Sequence, residues 1–208
     1  MSTPAPGAGA PRPAPVPTGV RSGAPGAWWV LIGGVIGLIA STALTVEKVR
    51  LLADSAYVPS CSLNPVLSCG SVMATPQAGV LGLPNPLIGI AAFTVVVVTG
   101  LLAIAKVPLP RWYWLGLTAG LLVGAVFVHW LIFQSLYRIG ALCPYCMVVW
   151  AVTITLLVVT ASIAGGAGYG HKSLQILHRW RWTVTALWFI GLAVLIFLRF
   201  QDYWLTLV

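Results

Sequence analysis

Four cysteines are the residues of this sequence best suited to chemistry, and they form two pairs with different spacing. Cys143 and Cys146 enclose Pro-Tyr, which is the C-x-x-C spacing of small, reducible disulfide rings in redox proteins. Cys61 and Cys69 are eight positions apart in a stretch that contains Asn-Pro. Two such pairs can pass electrons to each other when a thiolate attacks a disulfide, so the pattern favours thiol–disulfide chemistry.

The C-x-x-C motif opens a hydrophobic run and has no βαβ pattern around it. We therefore expect Cys143 near a helix N-terminus, where backbone N–H groups and the helix dipole stabilise a thiolate. Pro144 suits a first helical turn because its missing N–H is harmless there. Cys146, one turn deeper, would face the membrane interior, where a lipid-soluble two-electron acceptor such as a quinone could dock.

The loop pair allows two interpretations. Cys61 and Cys69 could form a flexible pair that faces water, meets a protein partner and carries electrons to the buried pair. They could instead form a structural disulfide that clamps the loop, although this leaves the C-x-x-C at a helix start unexplained. An interpretation as four inert membrane thiols also leaves the C-x-x-C at a helix start unexplained. A zinc site is disfavoured because only one C-x-x-C is present, and we expect no metal.

Composition places these cysteines in a membrane protein. The 208 residues are 59% hydrophobic and 7% charged, with a mean hydropathy of +0.97, far from the usual soluble mixture. The net charge of +8 does not indicate nucleic acid, because the basic residues are scattered between apolar runs.

Five apolar runs are long enough to cross a bilayer as helices, which predicts an all-α, polytopic membrane protein. They cover residues 28–46, 86–105, 112–134, 139–164 and 182–204. Residues 1–27 are rich in Pro, Ala and Gly and should form a disordered cytoplasmic tail. The first run is too long for a signal peptide's hydrophobic region and lacks a small-residue cleavage site. The remaining assignments are a long extracytoplasmic loop at 47–85, a catalytic bundle at 28–164, a basic cytoplasmic loop at 165–181 and a fifth transmembrane helix at 182–208.

Glycines repeat at small-xxx-small spacing in two of the runs, as Gly33 and Gly37 and as Gly116, Gly120 and Gly124. This spacing lets a neighbouring backbone approach closely, so we expect helix packing at both sites.

The distribution of Lys and Arg predicts the orientation. With the N-terminus in the cytoplasm, the inner segments hold the larger set: Arg12, Arg21, Lys106, Arg111, Lys172, Arg179 and Arg181. The outer segments hold Lys48, Arg50, Arg138 and Arg199. The bias favours a cytoplasmic N-terminus. Because two spans separate the two cysteine pairs, both lie on the same membrane face, here the extracytoplasmic one, where disulfides persist.

The order of the cysteines resembles the bacterial homologues of vitamin K epoxide reductase, over about residues 28–164. In that family a loop pair comes first and a C-x-x-C opens the fourth helix, whereas DsbB-type oxidoreductases carry the reverse order. The resemblance implies a four-helix bundle around a quinone pocket, followed here by a fifth transmembrane helix. Many bacterial members continue into a thioredoxin-like domain. This sequence lacks one, so a separate DsbA-like, thioredoxin-fold partner is implied.

The resemblance also points to three residues of the quinone pocket. The family has a Ser or Thr six positions after the second loop cysteine, where Thr75 stands, and an Asn near the start of the second helix, matched by Asn85. Asn85 would donate to a quinone carbonyl, or it could simply cap the loop before Pro86. Animal enzymes have a Tyr four positions after the last cysteine, whereas this sequence has Trp150, which offers an N–H donor and a larger face.

The resemblance implies a catalytic relay. A reduced partner attacks the Cys61–Cys69 disulfide at Cys61, Cys69 then attacks Cys143, and Cys146 is released to reduce the quinone, which is menaquinone, a vitamin K-type quinone or ubiquinone. The chain would be a thiol:quinone oxidoreductase of the bacterial inner membrane that supports disulfide-bond formation. The alternative is a non-enzymatic scaffold or small transporter whose disulfides only brace its outer loop.

Two further polar residues lie near the predicted site. His129, inside the third span, could donate a proton to the quinol or could simply be hydrogen-bonded or solvated. Arg138 could favour a thiolate at Cys143, although an interfacial anchor is the better interpretation.

Overall fold

A computed structural model of the chain describes residues 24–54, 56–165 and 179–205. Most of the tail predicted for residues 1–27 and most of the basic loop predicted for 165–181 lie outside these ranges, so both remain predictions.

The described residues form helices joined by turns and loops, and they contain no β-strand. The helices are α1 (Ala24–Ala53), α2 (Cys69–Met73), α3 (Asn85–Ile104), α4 (Arg111–Gln134), α5 (Pro144–Gly165), α6 (Arg181–Arg199) and α7 (Gln201–Leu205). Two short 3₁₀ helices, Pro76–Ala78 and Val80–Gly82, lie between α2 and α3. A π-helical turn, Ser135–Ile139, continues α4.

Five of the described helices are long and apolar enough to cross a membrane: Gly26–Ala53, Asn85–Ile104, Arg111–Ile139, Pro144–Gly165 and Arg181–Arg199. The predicted all-α, polytopic fold is therefore confirmed. Two predicted boundaries are wrong. The first helix continues through Glu47 and Arg50 to Ala53, because charged residues at a membrane surface do not stop a helix. The fourth spanning helix begins at Pro144 and not at 139, because Gly140 has a φ of 71° and ends the preceding helix there.

The core forms where α1 packs against α3 and α5, while α4 packs against α5. Val30, Phe93, Val96 and Leu156 are buried at this junction. Close packing at the first glycine pair is confirmed. A side chain at Gly37 would collide with the Phe93 ring, and one at Gly33 would lie 2.9 Å from Leu156.

The fifth long helix, α6, lies at the edge of the bundle and contacts α5. Only 6% of its most apolar window is buried inside the protein, against 33% for α5. It therefore presents most of its surface to lipid and touches the bundle at a few points.

Candidate active site

Three of the four cysteine sulfurs meet in one cluster. Cys61 and Cys69 form a disulfide with their Cα atoms 5.6 Å apart, and the Sγ of Cys143 lies 3.0 Å from the Sγ of Cys69. All three sulfurs lie within 4.8 Å of one another. Cys143 and Cys146 are free thiols. The arrangement brings a thiol into direct contact with one sulfur of a disulfide, which is the geometry that exchange requires.

Two backbone hydrogen bonds hold the loop pair against the C-x-x-C. Leu142 N–H donates to the carbonyl of Val66 (2.7 Å), and Ser68 N–H donates to the carbonyl of Leu142 (2.9 Å), which makes a single parallel bridge between Leu67 and Leu142. Ser68 and Leu142 immediately precede Cys69 and Cys143. The bridge therefore sets the distance between the two reacting sulfurs.

Side-chain hydrogen bonds fix the backbone that leads to Cys69. The Asn64 side-chain oxygen accepts hydrogen bonds from the N–H groups of Val66 (3.0 Å) and Leu67 (2.7 Å), which is the turn expected of Asn before Pro. Ser68 then caps α2 by accepting from Ser71 N–H at 3.3 Å. Cys69 is thus the first residue of a short helix.

A buried carboxylate holds the other end of the loop pair. Glu47, near the end of α1, is only 6% exposed. Its oxygens accept from the Ser60 hydroxyl (2.6 Å), the Tyr57 hydroxyl (2.9 Å) and the Ser60 N–H (3.4 Å). Ser60 precedes Cys61, so Glu47 anchors the disulfide from the first helix. Nothing in the local sequence marks Glu47 as an anchor, because a charged residue directly after an apolar run is common at a membrane surface.

The interpretation in which the loop pair faces water is wrong. Cys69 is fully buried and Cys61 is 6% exposed, because Leu44, Met73 and Cys143 pack around them. A loop rich in Ser, Pro and Gly looks solvated in sequence, but here it folds over the end of the bundle. Cys61 is the more accessible of the two residues.

Cys143 lies where a helix begins, as predicted, directly before Pro144. Hydrogen bonding from the Cys146 side chain, and then from the backbone N–H groups of Cys146 and Tyr145, lowers the pKa of the Cys143 thiol below its ordinary value, although burial opposes the shift. Arg138 is exposed and is not among the causes of this shift. The structure therefore supports the interfacial interpretation of Arg138.

A largely apolar cavity of about 520 Å³ opens beside Cys146, between α1, α3, α4 and α5. Cys146, Asn85, Thr75 and Trp150 all line it, whereas Cys143 does not. Its volume lies in the range of small-molecule sites. The two free thiols therefore face different neighbours, Cys143 the disulfide and Cys146 the cavity.

The polar groups at the outer end of the cavity hold its wall together. The Asn85 side chain accepts from Val80 N–H (2.9 Å) and donates to the Gln77 carbonyl (2.7 Å). This agrees with the loop-capping interpretation. The Thr75 hydroxyl donates to the Val72 carbonyl at 2.8 Å. Roles for Asn85 and Thr75 in ligand binding remain predictions.

Two buried polar atoms beside the cavity have no hydrogen-bond partner among the described residues. They are the indole Nε1 of Trp150 and the side-chain oxygen Oε1 of Gln134, and both residues line the cavity. An unpaired buried polar group is unfavourable, and a ligand can satisfy it. Gln134 was missed in the sequence because it looked like the polar end of a span.

Two glycines of the second repeat do not pack as predicted, whereas a side chain at Gly124 would lie 3.6 Å from Thr153 of α5. Side chains added at Gly116 or Gly120 would meet nothing within 4 Å, and both glycines line the cavity. Their backbone forms a smooth wall and gives the cavity its width. Small-xxx-small spacing cannot by itself distinguish a helix contact from a cavity wall.

His129 does not line the cavity. Its Nε2 accepts from Trp188 Nε1 (2.9 Å) and its Nδ1 lies 2.7 Å from the Ala125 carbonyl. Because indole N–H can only donate, Nδ1 carries the ring proton, and the imidazole is neutral and fully bonded. The structure supports the hydrogen-bonded interpretation of His129, joining α4 to α6, over that of a proton donor.

A family model described as the vitamin K epoxide reductase family matches residues 28–161, more than half of the 208-residue chain. No curated protein matches the chain. The matched segment contains all four cysteines and ends before α6.

Proposed function

This chain belongs to the vitamin K epoxide reductase family, whose members are membrane oxidoreductases that act on thiols with a quinone, and we propose that it reoxidises a thioredoxin-fold protein outside the cytoplasm. The two electrons that the thioredoxin-fold protein gives up pass to a membrane quinone, and the reaction supports disulfide-bond formation in a bacterial cell. A scaffold or transporter with structural disulfides gains no support, since two cysteines are free thiols beside the disulfide and the cavity.

The proposed relay begins at Cys61, which is the more exposed residue of the loop pair. A partner thiolate attacks Cys61, forms a mixed disulfide with it and releases Cys69. The partner's second thiolate then attacks the partner's first sulfur, which forms the partner's own disulfide and releases Cys61, so that both loop cysteines are reduced. Cys69 attacks Cys143, which breaks the Cys143–Cys146 disulfide and frees Cys146. Cys61 then attacks Cys69, re-forms their disulfide and frees Cys143. The described state, with one disulfide and two free thiols, corresponds to the end of this transfer.

The single observation that carries the proposal is the continuity of the four sulfurs. Cys69 contacts Cys143 at 3.0 Å, and Cys146, three positions further along the helix start, lines the cavity. Electrons entering at Cys61 thus have a route to the cavity without any sulfur moving far.

A quinone is the ligand class that we propose for the cavity. Its apolar walls suit a lipid-soluble ring, and the unpaired N–H of Trp150 can donate to a carbonyl oxygen. The unpaired oxygen of Gln134 can accept from a quinol hydroxyl. Asn85 and Thr75 would help to orient the ring from the outer end. Menaquinone, a vitamin K-type quinone and ubiquinone all have a ring with carbonyl oxygens that become hydroxyl groups on reduction.

The location and orientation follow from the same proposal. The distribution of Lys and Arg supports a cytoplasmic N-terminus and extracytoplasmic cysteines in the bacterial inner membrane, where a DsbA-like partner could reach Cys61.

Replacing Cys69 tests the relay. We expect Cys69→Ala to abolish quinone reduction driven by a reduced thioredoxin-fold protein, because the partner's electrons then have no route to Cys143. A small membrane-permeant dithiol should still drive quinone reduction through Cys143 and Cys146. The measurement is quinone absorbance with each donor.

Cys146→Ala is the matched control, because it should abolish quinone reduction with both donors. Normal turnover of Cys69→Ala with the protein donor would show that the relay is wrong.

A further inference from the structure

The last turn of α6 reaches the segment that precedes the C-x-x-C. The Arg199 side chain donates from Nε to the Leu136 carbonyl at 2.9 Å. Leu136 lies in the π-helical turn that ends the α4 segment, where backbone carbonyls lack helical partners. The guanidinium of Arg199 also lies 5.9 Å from the centre of the Phe200 ring. One basic side chain thus ties the fifth helix to the chain just before Gly140.

Phe200 lies in a buried cluster that includes residues of the bridge between Leu67 and Leu142. It is 8% exposed and belongs to a buried cluster with Val66, Leu136, Leu142 and Trp150. Val66 and Leu142 are the two residues joined by the 2.7 Å hydrogen bond of the bridge. Phe200 therefore lies in the same cluster as Val66 and Leu142, one from each side of the bridge, and as Trp150, which lines the cavity.

Around Phe200 the end of α6 is largely exposed, while Trp188, Leu192 and Ile196 of the same helix also pack against the buried cluster. Phe197 and Leu198, one turn or less away, are 60% and 58% exposed, as expected of a lipid-facing surface. The hydrogen bond between Trp188 and His129 fixes the rotation of α6 further along. At the end of this helix Arg199 reaches the Leu136 carbonyl, and Phe200 is buried in the cluster that contains Leu142.

We propose that Arg199 and Phe200 are positioning residues for electron transfer between the two cysteine pairs. They clamp Leu136 and the bridge from the lipid side and so hold Cys143 in reach of Cys69. The proposal rests on the proposed relay for its biological meaning. It concerns residues outside the segment matched by the family model.

The step that depends on this clamp is the attack of the Cys69 thiolate on Cys143. The Cys69–Cys143 bond forms, the Cys143–Cys146 bond breaks and Cys146 leaves as a thiolate, so the sulfurs balance without another oxidant. A misplacement of about 1 Å between reacting groups can slow a reaction about a hundredfold. We therefore expect loss of the clamp to slow this step about tenfold or more.

The test measures sulfur approach without using turnover. In a full-length Cys61→Ser, Cys146→Ser background, only Cys69 and Cys143 remain, and the azodicarboxamide oxidant diamide can join them, taking up two electrons and two protons. Adding Arg199→Met or Phe200→Ala should slow formation of the Cys69–Cys143 disulfide about tenfold, as followed by peptide mass spectrometry. Arg199→Lys should restore much of the rate, because its ammonium group can still donate to the Leu136 carbonyl.

Leu198→Ala is the matched control, because it truncates an exposed side chain on the same turn and should leave the rate unchanged. Disulfide formation at the parent rate in both Arg199→Met and Phe200→Ala would overturn the proposal, and so would equal slowing by Leu198→Ala. Failure of the proposed function would appear elsewhere, as absence of quinone reduction by the protein with all four cysteines.

Discussion

Cys143 has two chemical neighbours, and each is set by a different part of the chain. On one side it touches Cys69 at 3.0 Å. On the other it accepts hydrogen bonds at the start of α5 from Cys146 and Tyr145. The first contact allows exchange, and the second stabilises the thiolate that exchange requires. This residue is therefore the branch point of the proposed relay.

The hydrogen bonds to Cys143 predict a pH dependence. Its pKa is lowered mainly by the Cys146 side chain, so the thiolate persists below the ordinary thiol pKa and is lost as the pH falls through the lowered value. Cys146→Ala should raise the pKa of Cys143. Cys146→Ser keeps a hydroxyl donor and should raise it less.

In both variants Cys143 is the one titrating cysteine, because Cys61 and Cys69 are joined in a disulfide. Ultraviolet absorbance of the thiolate against pH measures the titration directly. Identical titration midpoints in the Ala and Ser variants would show that a hydrogen bond from the side chain at position 146 does not lower the pKa of Cys143.

At this scale the sequence predicted local features better than the contacts between distant segments. Residue type and spacing identified all four cysteines and the helix start at Cys143, because both depend on local sequence. The burial of Cys69, the partner of His129 and the unpaired atoms of Trp150 and Gln134 depend on contacts between distant segments. No local pattern carries that information.

The elements around the site divide into spans that form a cavity and a loop that carries the disulfide. The loop is held from three sides: by Glu47 at the end of α1, by the bridge at Leu142 and by Lys48, whose Nζ donates to the Met73 carbonyl at 2.6 Å. A long loop between spans was predicted, but its compact packing was not. Two of its anchors lie on α1 and one lies just before α5, in segments far from the loop cysteines in sequence.

Glu47 tests how the loop is held. Glu47→Gln replaces one accepting oxygen with a donor, so the hydrogen bonds to Ser60 and Tyr57 cannot all form. Loss of a hydrogen bond to a charged group is worth about 1.5–3 kcal/mol. We therefore expect backbone amides around Ser60 to exchange hydrogen at least roughly tenfold faster, as measured by mass spectrometry.

Asp54→Asn is the control on the same loop. Asp54 is exposed and accepts from the Ala56 N–H at 2.9 Å, so its replacement should leave exchange at Ser60 unchanged. Unchanged exchange in Glu47→Gln would mean that the buried carboxylate does not hold the segment before Cys61.

In the whole molecule, the four-helix bundle contains the proposed reaction site, whereas the fifth helix lies beside it. The segment matched by the family model contains the cysteines and the cavity, while α6 and Phe200 lie beyond it. Hydropathy predicted all five spanning helices, because apolar length is a local property. Hydropathy could not predict which face of α6 meets the bundle, since that depends on single contacts such as Arg199 with Leu136.

The account as a whole proposes one electron path from the loop pair, through the C-x-x-C, to a quinone. The two ends of this electron path can be tested separately, because Cys61 and Cys69 do not line the cavity whereas Cys146 does. A quinone should therefore oxidise the loop pair only through Cys143 and Cys146.

The most direct measurement is the reoxidation of fully reduced protein by a quinone without oxygen, with free thiols at each cysteine counted by alkylation and mass spectrometry. We predict that the unmodified sequence loses all four thiols, two quinone molecules being consumed, whereas Cys143→Ser retains the thiols of Cys61 and Cys69. Equally fast oxidation of Cys61 and Cys69 in Cys143→Ser, or no thiol loss in the unmodified sequence, would contradict the account.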